Sequence, residues 1–169
     1  VSTPMRGDIV RGKQKPERIK TDRLKRRLIA QGMREIATYS FISSKAVDTL
    51  RLSESDPRRQ AIKLLNPLGE EYSTLRTQLV TSMLTVLATN YSRKIPAVRF
   101  FEVSKRFIPH ALPLNEQPQE LPTLCLGLYG KEEDFFTLKG IVESVFAQFA
   151  VPVEYVRDQE PYFHPGRQA

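Results

Sequence analysis

The stretch over residues 66–107 constrains the fold of this chain more than any other part of the sequence. It begins with Asn66-Pro67-Leu68-Gly69, which predicts a turn because proline fixes φ at the second turn position and Gly69 can adopt a positive φ. A helix is predicted next, over residues 77–93, because apolar side chains recur there at helical spacing. The face that they share is formed by Leu79, Met83, Val86, Leu87 and Asn90.

The strand predicted after this helix, over residues 98–103, is apolar on both of its faces. One face carries Val98 and Phe100, and the other carries Phe101 and Val103. A strand of this kind lies inside a sheet that is covered on both sides. Arg99 and Glu102 are then charges at an otherwise buried level, and each is expected to have a partner because buried charges need one.

The composition is that of an ordinary globular domain. The 169 residues are 40% hydrophobic and 27% charged, which fits one domain with a sizeable core. No run of 18 apolar residues predicts a membrane span, and the N-terminal residues show no signal pattern. The single cysteine, Cys125, excludes an internal disulfide, and we expect a cytosolic protein. No phosphate-binding glycine motif occurs, and two distant histidines predict neither a metal site nor a catalytic triad.

The net charge of +7 is concentrated at the N-terminus. Residues 1–34 carry 11 Lys and Arg against 3 Asp and Glu, so the rest of the chain is nearly neutral. A basic arm of this kind could contact nucleic acid, but a solvated linker and helix face is the simpler explanation of the charge. Both interpretations stay open here. The side chains expected to contact phosphates under the first are Lys20, Arg23, Arg26 and Arg27, together with Arg11, Lys13, Lys15 and Lys25.

The other elements follow from local patterns. Residues 1–20 predict a linker, followed by one domain over residues 21–169 that begins with a helix from Thr21 to Gln31, with Thr21 as N-cap. The remaining predictions are a strand over 35–42, a short helix ending near Leu50, a strand over 61–65, a loop over 109–122, strands over 123–129 and 153–156, and a helix over 135–150. Short connections favour a mainly antiparallel sheet flanked by helices, an α+β domain. The abrupt end at Ala169 predicts a domain that is truncated at its C-terminus.

The predicted strand over residues 123–129 has two unlike faces. Leucines occupy one face, and the other carries Cys125 and Gly127. Mostly small residues on one face indicate that another part of the molecule approaches it closely.

Six short segments occur in an order that resembles a known family. They are Asn66-Pro67, Leu75-Arg76-Thr77, Asn90-Tyr91-Ser92-Arg93, Phe100-Phe101-Glu102-Val103, Asp134-Phe135-Phe136-Thr137-Leu138-Lys139-Gly140 and His164-Pro165-Gly166-Arg167. Together they resemble the β subunit of phenylalanyl-tRNA synthetase, in the region called its catalytic-like module. The resemblance covers residues 20–169 almost throughout.

The resemblance implies a class II aminoacyl-tRNA synthetase core without catalytic activity of its own. In this family an α subunit performs the chemistry, and the α2β2 enzyme charges tRNA with phenylalanine in the cytoplasm using ATP and Mg²⁺. No cofactor is implied for this segment itself, and tRNA would be bound by the whole enzyme. The α subunit would lie against the first helix and the strand after it. The side chains expected at that interface are Leu24, Leu28, Ile29, Tyr39 and Phe41.

One position supports the non-catalytic assignment. Active class II enzymes carry an arginine two residues before a strand glutamate, where it holds the α-phosphate of ATP. Here Phe100 precedes Glu102 by two residues, and Arg99 points to the opposite face. Glu102 is therefore expected to be a structural acid that is paired with a nearby lysine or arginine.

Overall fold

The computed structural model of the chain describes Gly7, residues 12–166 and Gln168. The helices are α1 (Pro16–Ala30), α2 (Val80–Ser92) and α3 (Phe135–Gln148). The strands are β1 (Arg34–Glu35), β2 (Phe41–Ile42), β3 (Thr74–Leu75), β4 (Val98–Ile108) and β5 (Gln119–Tyr129). Short 3-10 helices span Ala46–Leu50, Pro57–Arg59 and Glu70–Tyr72. Within this described part, no helix has the length and apolar character needed to cross a membrane.

A long hairpin of β4 and β5 forms the centre of the fold. The two strands pair antiparallel from Val98 opposite Tyr129 to Ile108 opposite Gln119. The short strand β1 adds to the other edge of β4 in parallel, with Arg34 opposite Phe100. Strands β2 and β3 form a separate antiparallel pair. The α+β class is confirmed, and the central sheet is mixed because β1 runs parallel to its neighbour.

Helices cover both faces of the hairpin, as the doubly apolar strand predicted. On one face α1 and α3 bury a core that contains Phe101, which is completely buried. The other core residues on that face are Leu28, Met33, Ile141 and Val145. Helix α2 packs on the opposite face, against β5. The helices thus bury their apolar faces against the same sheet.

The close approach predicted at the small residues of β5 is made by α2. A Cβ atom added to Gly127 would lie 2.7 Å from Cγ and Sδ of Met83 and 3.0 Å from a methyl carbon of Leu87. Real Cβ atoms do not approach other heavy atoms so closely, so glycine is required for this packing. At Gly127 the small-residue face is therefore a helix contact.

The first helix is longer than the sequence patterns predicted. It begins at Pro16, with Lys15 in the N-cap position, and Thr21 lies inside it. Proline is favoured at the first helical position because its missing N–H has no partner there in any case. Residues 16–20 of the predicted linker are therefore helical, and most of the preceding residues lie outside the described part of the chain. The division of the chain at residue 20 stays a prediction.

Three predicted strands differ in the structure. The predicted strand over 35–42 is divided between β1 and β2, because the chain leaves the sheet after Ile36, whose N–H donates to Phe101 O at 2.8 Å, and Thr38 then donates its N–H to the Glu102 carboxylate at 3.2 Å. Residues 61–65 make one isolated bridge, between Lys63 and Thr74, and residues 153–156 form no strand.

Strands β4 and β5 are both longer than the strands predicted over 98–103 and 123–129, and the turn predicted over 66–69 also differs. Residues 105–108 continue β4 itself, and residues 119–122 of the predicted loop belong to β5. Pro122 is tolerated because β5 is an edge strand. The predicted turn gave Gly69 a positive φ in the left-handed region, but its observed φ of 169° is that of extended backbone.

A cluster around Arg58 attaches the C-terminal segment to the body of the fold. Its guanidinium nitrogens donate to the carboxylates of Asp56 and Glu160, both at 2.7 Å at the closest. The hydrogen bond from Arg58 holds the pKa of Asp56 at about 2, below its usual 3.8. The hydrogen bond to Asp56, and after it the one to Glu160, raises the pKa of Arg58.

Asp56 makes the stability of the fold sensitive to acid. Its pKa is lower in the folded chain than in the unfolded chain, so its stabilising contribution is complete above pH of about 4 and is lost as the pH falls towards 2. We expect Asp56→Asn to remove part of this acid dependence while leaving the chain less stable at neutral pH. Urea denaturation between pH 2 and pH 7 measures both effects. An unchanged slope with pH in the variant would contradict this role for Asp56.

Candidate functional site

The two side chains Arg76 and Glu102 form an ion pair in the interior of the fold. Arg76 follows β3, and Glu102 lies in the middle of β4 on the face towards α2. Arg76 is 0% exposed and Glu102 is 2% exposed, and Nη1 of Arg76 lies 3.2 Å from Oε1 of Glu102. Removing two charges from water is costly, so such a pair persists only with further hydrogen bonds.

Those further hydrogen bonds are present around Arg76. Its Nη1 donates to Thr38 Oγ1 at 2.7 Å, and its Nη2 donates to Ser104 Oγ at 2.5 Å. Its Nε donates to the carbonyl oxygen of Lys105 at 3.0 Å. The guanidinium group is thus held by β4 and by the segment between β1 and β2, and it is closed off from any ligand in solvent.

The Glu102 carboxylate is satisfied from the same directions. Besides Arg76, it accepts from the hydroxyl of Thr38 at 2.8 Å and from the N–H of Thr38 at 3.2 Å. The Thr38 hydroxyl therefore accepts from the arginine and donates to the glutamate, which links the pair into one network. The expectation that Glu102 is paired with a lysine or arginine is confirmed. Its partner, Arg76, and the role of Thr38 were not found from the sequence.

The neighbours of Glu102 in the first half of β4 lie on the faces expected from the sequence. Phe100 lies two residues before Glu102, and the pairs Phe100 with Gly127 and Glu102 with Cys125 face α2 together. Arg99 points to the other face, as predicted, and its Nε donates to Oε1 of Glu133 at 2.7 Å.

Cys125 is a half-buried thiol whose pKa is raised by its environment. Burial raises the pKa of Cys125 to about 11, and the adjacent Glu102 charge adds to that increase while Arg76 opposes it. A thiol with this pKa is protonated at neutral pH, and the thiolate is the nucleophile. Among the described residues, no group of three His, Cys, Asp or Glu side chains is placed to hold a metal ion.

The five side chains predicted at a subunit interface separate into two sets. Leu28 is completely buried in the core, and Leu24 packs against the same core, so Leu28 has no surface to offer a partner. Ile29, Tyr39 and Phe41 are exposed, and Ile29 and Tyr39 expose 55% and 72% of their surface. The sequence pattern of these residues therefore did not distinguish the side chains that face the core from those that face solvent.

Tyr39 and Phe41 border an apolar groove of about 280 Å³ between β2 and α2. Tyr39 packs edge-to-face against Tyr72, with ring centroids 5.7 Å apart. Thr81, Thr85 and Val86 of α2 line the opposite wall. An exposed aromatic pair beside an apolar groove is the surface chemistry of protein interfaces.

The four basic side chains predicted to contact phosphates lie on exposed positions of α1. Lys20, Arg26 and Arg27 face solvent, and the Arg23 guanidinium lies 5.8 Å from the ring centroid of Phe149. Of the neighbouring residues, Lys25 is paired with Glu35, Lys13 and Lys15 are exposed, and Arg11 lies outside the described residues. No aromatic residue is interleaved with the basic residues over positions 12–27.

Comparison with known families decides the assignment. The family model of the phenylalanyl tRNA synthetase beta chain CLM domain matches residues 1–169. The chain belongs to this family. Similar members include the phenylalanine–tRNA ligase beta subunits of Clostridium acetobutylicum, 38% identical over 99% of this chain, and of Clostridium tetani, 39% identical over 84%. The chain spans 21% and 18% of the lengths of these two relatives.

Solved structures are similar to this CLM-family chain in fold. Two structures of pyrrolysyl-tRNA synthetase from Desulfitobacterium hafniense superpose with TM-scores of 0.64 and 0.62. The first alignment covers 80% of this chain and 48% of the solved chain, at 18% identity. The second covers 81% of this chain and 46% of the solved chain, at 16% identity. The fold is therefore that of a class II tRNA synthetase core.

Proposed function

We propose that this chain is the non-catalytic module of a phenylalanine–tRNA ligase and that it binds the catalytic α subunit. The observation that most directly supports this proposal is the Arg76–Glu102 network beside Phe100, which is closed to solvent. An active class II site needs an arginine that is free to bind the phosphate of ATP, and here the nearest buried arginine is fully engaged and out of reach of solvent.

In this proposal ATP and Mg²⁺ act in the α subunit of an α2β2 enzyme in the cytoplasm, and tRNA binds to the assembled enzyme. Both the membership of the beta-chain family and the class II core fold support it. The chemistry would then reside on the paired subunit, and this chain would contribute a rigid surface.

The surface proposed for that contact combines the end of α1 with the aromatic groove. Ile29 is exposed near the end of α1, and Tyr39 and Phe41 are exposed beyond β1, all within the predicted residues 21–42. Leu28 supports the helix from beneath. Aromatic side chains such as Tyr39 lose little conformational entropy on binding for the area that they cover, which suits them to anchor an interface.

The contact surface can be tested with Tyr39→Asp and Ile29→Asp. Each variant places a carboxylate in an apolar interface, so each is expected to weaken binding to the phenylalanyl-tRNA synthetase α subunit by about tenfold, as measured by calorimetry. Phe136→Asp is the matched control, because Phe136 is exposed to the same degree as Tyr39 but lies on α3.

Two results would contradict the proposal. Unchanged affinity in both Tyr39→Asp and Ile29→Asp would exclude this surface as the contact. Exchange of pyrophosphate into ATP by the isolated chain in the presence of phenylalanine would show that the chain is catalytic by itself.

Nucleic-acid binding by the basic arm is the alternative function, and the family match does not favour it. It predicts affinity for tRNA that falls steeply with salt and is lost when residues 1–20 are removed.

A further inference from the structure

A second cavity lies at the opposite end of β4 from Arg76, and the proposed function does not use it. It is open to solvent and has a volume of about 360 Å³, within the range of small ligand sites. It forms where the first residues of β4 meet β1, the end of α2 and the turn before α3. Its polar lining consists of Arg34, Asn90, Arg99 and Glu133, and its apolar wall of Ile95, Ala97, Val98 and Phe100.

One carboxylate oxygen of Glu133, a residue of this cavity lining, has no hydrogen-bond donor among the described residues. Its side chain is only 8% exposed, and its Oε1 accepts from Arg99 Nε at 2.7 Å. Its Oε2 is buried and receives no hydrogen bond from any described residue. A buried carboxylate oxygen without a donor is costly, and such groups in native proteins call for a specific explanation. An N–H donor brought by a ligand would satisfy it.

The charges of the cavity indicate what else the ligand carries. Arg99 compensates the charge of Glu133, and a second bond from its Nη1 to the carbonyl oxygen of Gln31, at 3.3 Å, holds it towards α1. Arg34 is exposed at the rim and has no ion pair among the described residues. The lining therefore has one positive charge in excess, which one carboxylate on the ligand would balance.

We propose that this cavity binds the C-terminus of a peptide that ends in an apolar residue. The terminal carboxylate pairs with Arg34, the last amide N–H donates to Glu133 Oε2, and the apolar side chain lies along Ile95, Val98 and Phe100. A neutral amide donor suits Glu133 because Arg99 already compensates the carboxylate charge. A free amino acid has an additional ammonium group, which would leave the positive excess uncompensated. Because Oε2 is buried in this structure, binding requires a side-chain shift that opens it to the cavity.

The experiment uses the whole 169-residue chain and N-acetyl-L-leucine as the probe, with amide chemical shifts as the readout. We expect a dissociation constant of about 1 mM and shifts of the amides of Gly32, Arg34, Arg99 and Glu133. Arg34→Gln is expected to weaken binding about tenfold or more, because it removes a charge-assisted contact from an exposed position that the fold does not need. Arg157→Gln, an exposed arginine outside the cavity, is the matched control.

Three further probes separate the parts of the ligand. N-acetyl-L-leucinamide lacks the carboxylate and free L-leucine has the extra ammonium group, so both are expected to bind several-fold more weakly. Absence of the expected shifts, equal affinity in Arg34→Gln, or equal affinity for the amide would overturn the proposal. Tighter binding of AMP at the same amides would also overturn it, in favour of a nucleotide site. None of these results depends on binding to an α subunit.

Discussion

Replacing Arg76 with methionine is expected to lower the free energy of unfolding by about 3–5 kcal/mol. Methionine fills much of the space of the arginine side chain, so the main loss is the partner of a carboxylate that is 2% exposed. Among the described residues Glu102 would keep only Thr38 as a donor, in an interior where an unpaired charge is strongly unfavourable. Urea denaturation followed by circular dichroism measures the change.

The control for Arg76→Met is Lys105→Met, which removes the cation of the solvent-exposed pair between Lys105 and Glu120. Exposed pairs are worth little, so this variant should differ from the parent chain by less than about 1 kcal/mol. The double variant Arg76→Met with Glu102→Leu should recover part of the lost stability, because it removes both charges. Equal losses in Arg76→Met and Lys105→Met would show that the buried pair has no special role.

Gly127→Val is expected to destabilise the fold by about 1–3 kcal/mol. The added side chain would begin 2.7 Å from Met83 in the contact between β5 and α2, so the helix or the methionine must move. The free energy of unfolding in urea is again the measurement. Gly69→Val is the matched control, since its φ of 169° suits any residue and a Cβ there meets no heavy atom within 4 Å.

The origin of the Gly127→Val effect can be separated from strand propensity by a double-mutant cycle. In a Met83→Ala background the valine has room, so its cost is expected to fall. A cost that is the same in both backgrounds would place the effect outside the contact with α2.

The helices and strands with strong local patterns were predictable from their own residues. The stripe of α3 and the doubly apolar strand β4 are each encoded within fewer than twenty residues. The start of α1 at Pro16 also had a local signal, a proline followed by Glu17, that the linker interpretation overlooked. The strand over residues 153–156 was wrong because a short apolar run alone does not supply a partner strand.

The candidate site was only half predictable. The sequence by itself determined that Glu102 needs a partner and that something packs closely on Gly127, and the family resemblance implied that Phe100 stands where an active relative has its arginine. Only the tertiary structure decided that the partner is Arg76 and that the close neighbour is Met83. These pairs are separated by 26 and 44 positions in the chain, and no local period reaches that far. The local sequence shows that a charge or a small residue will be buried and will need a neighbour. Which group becomes that neighbour depends on how distant elements pack.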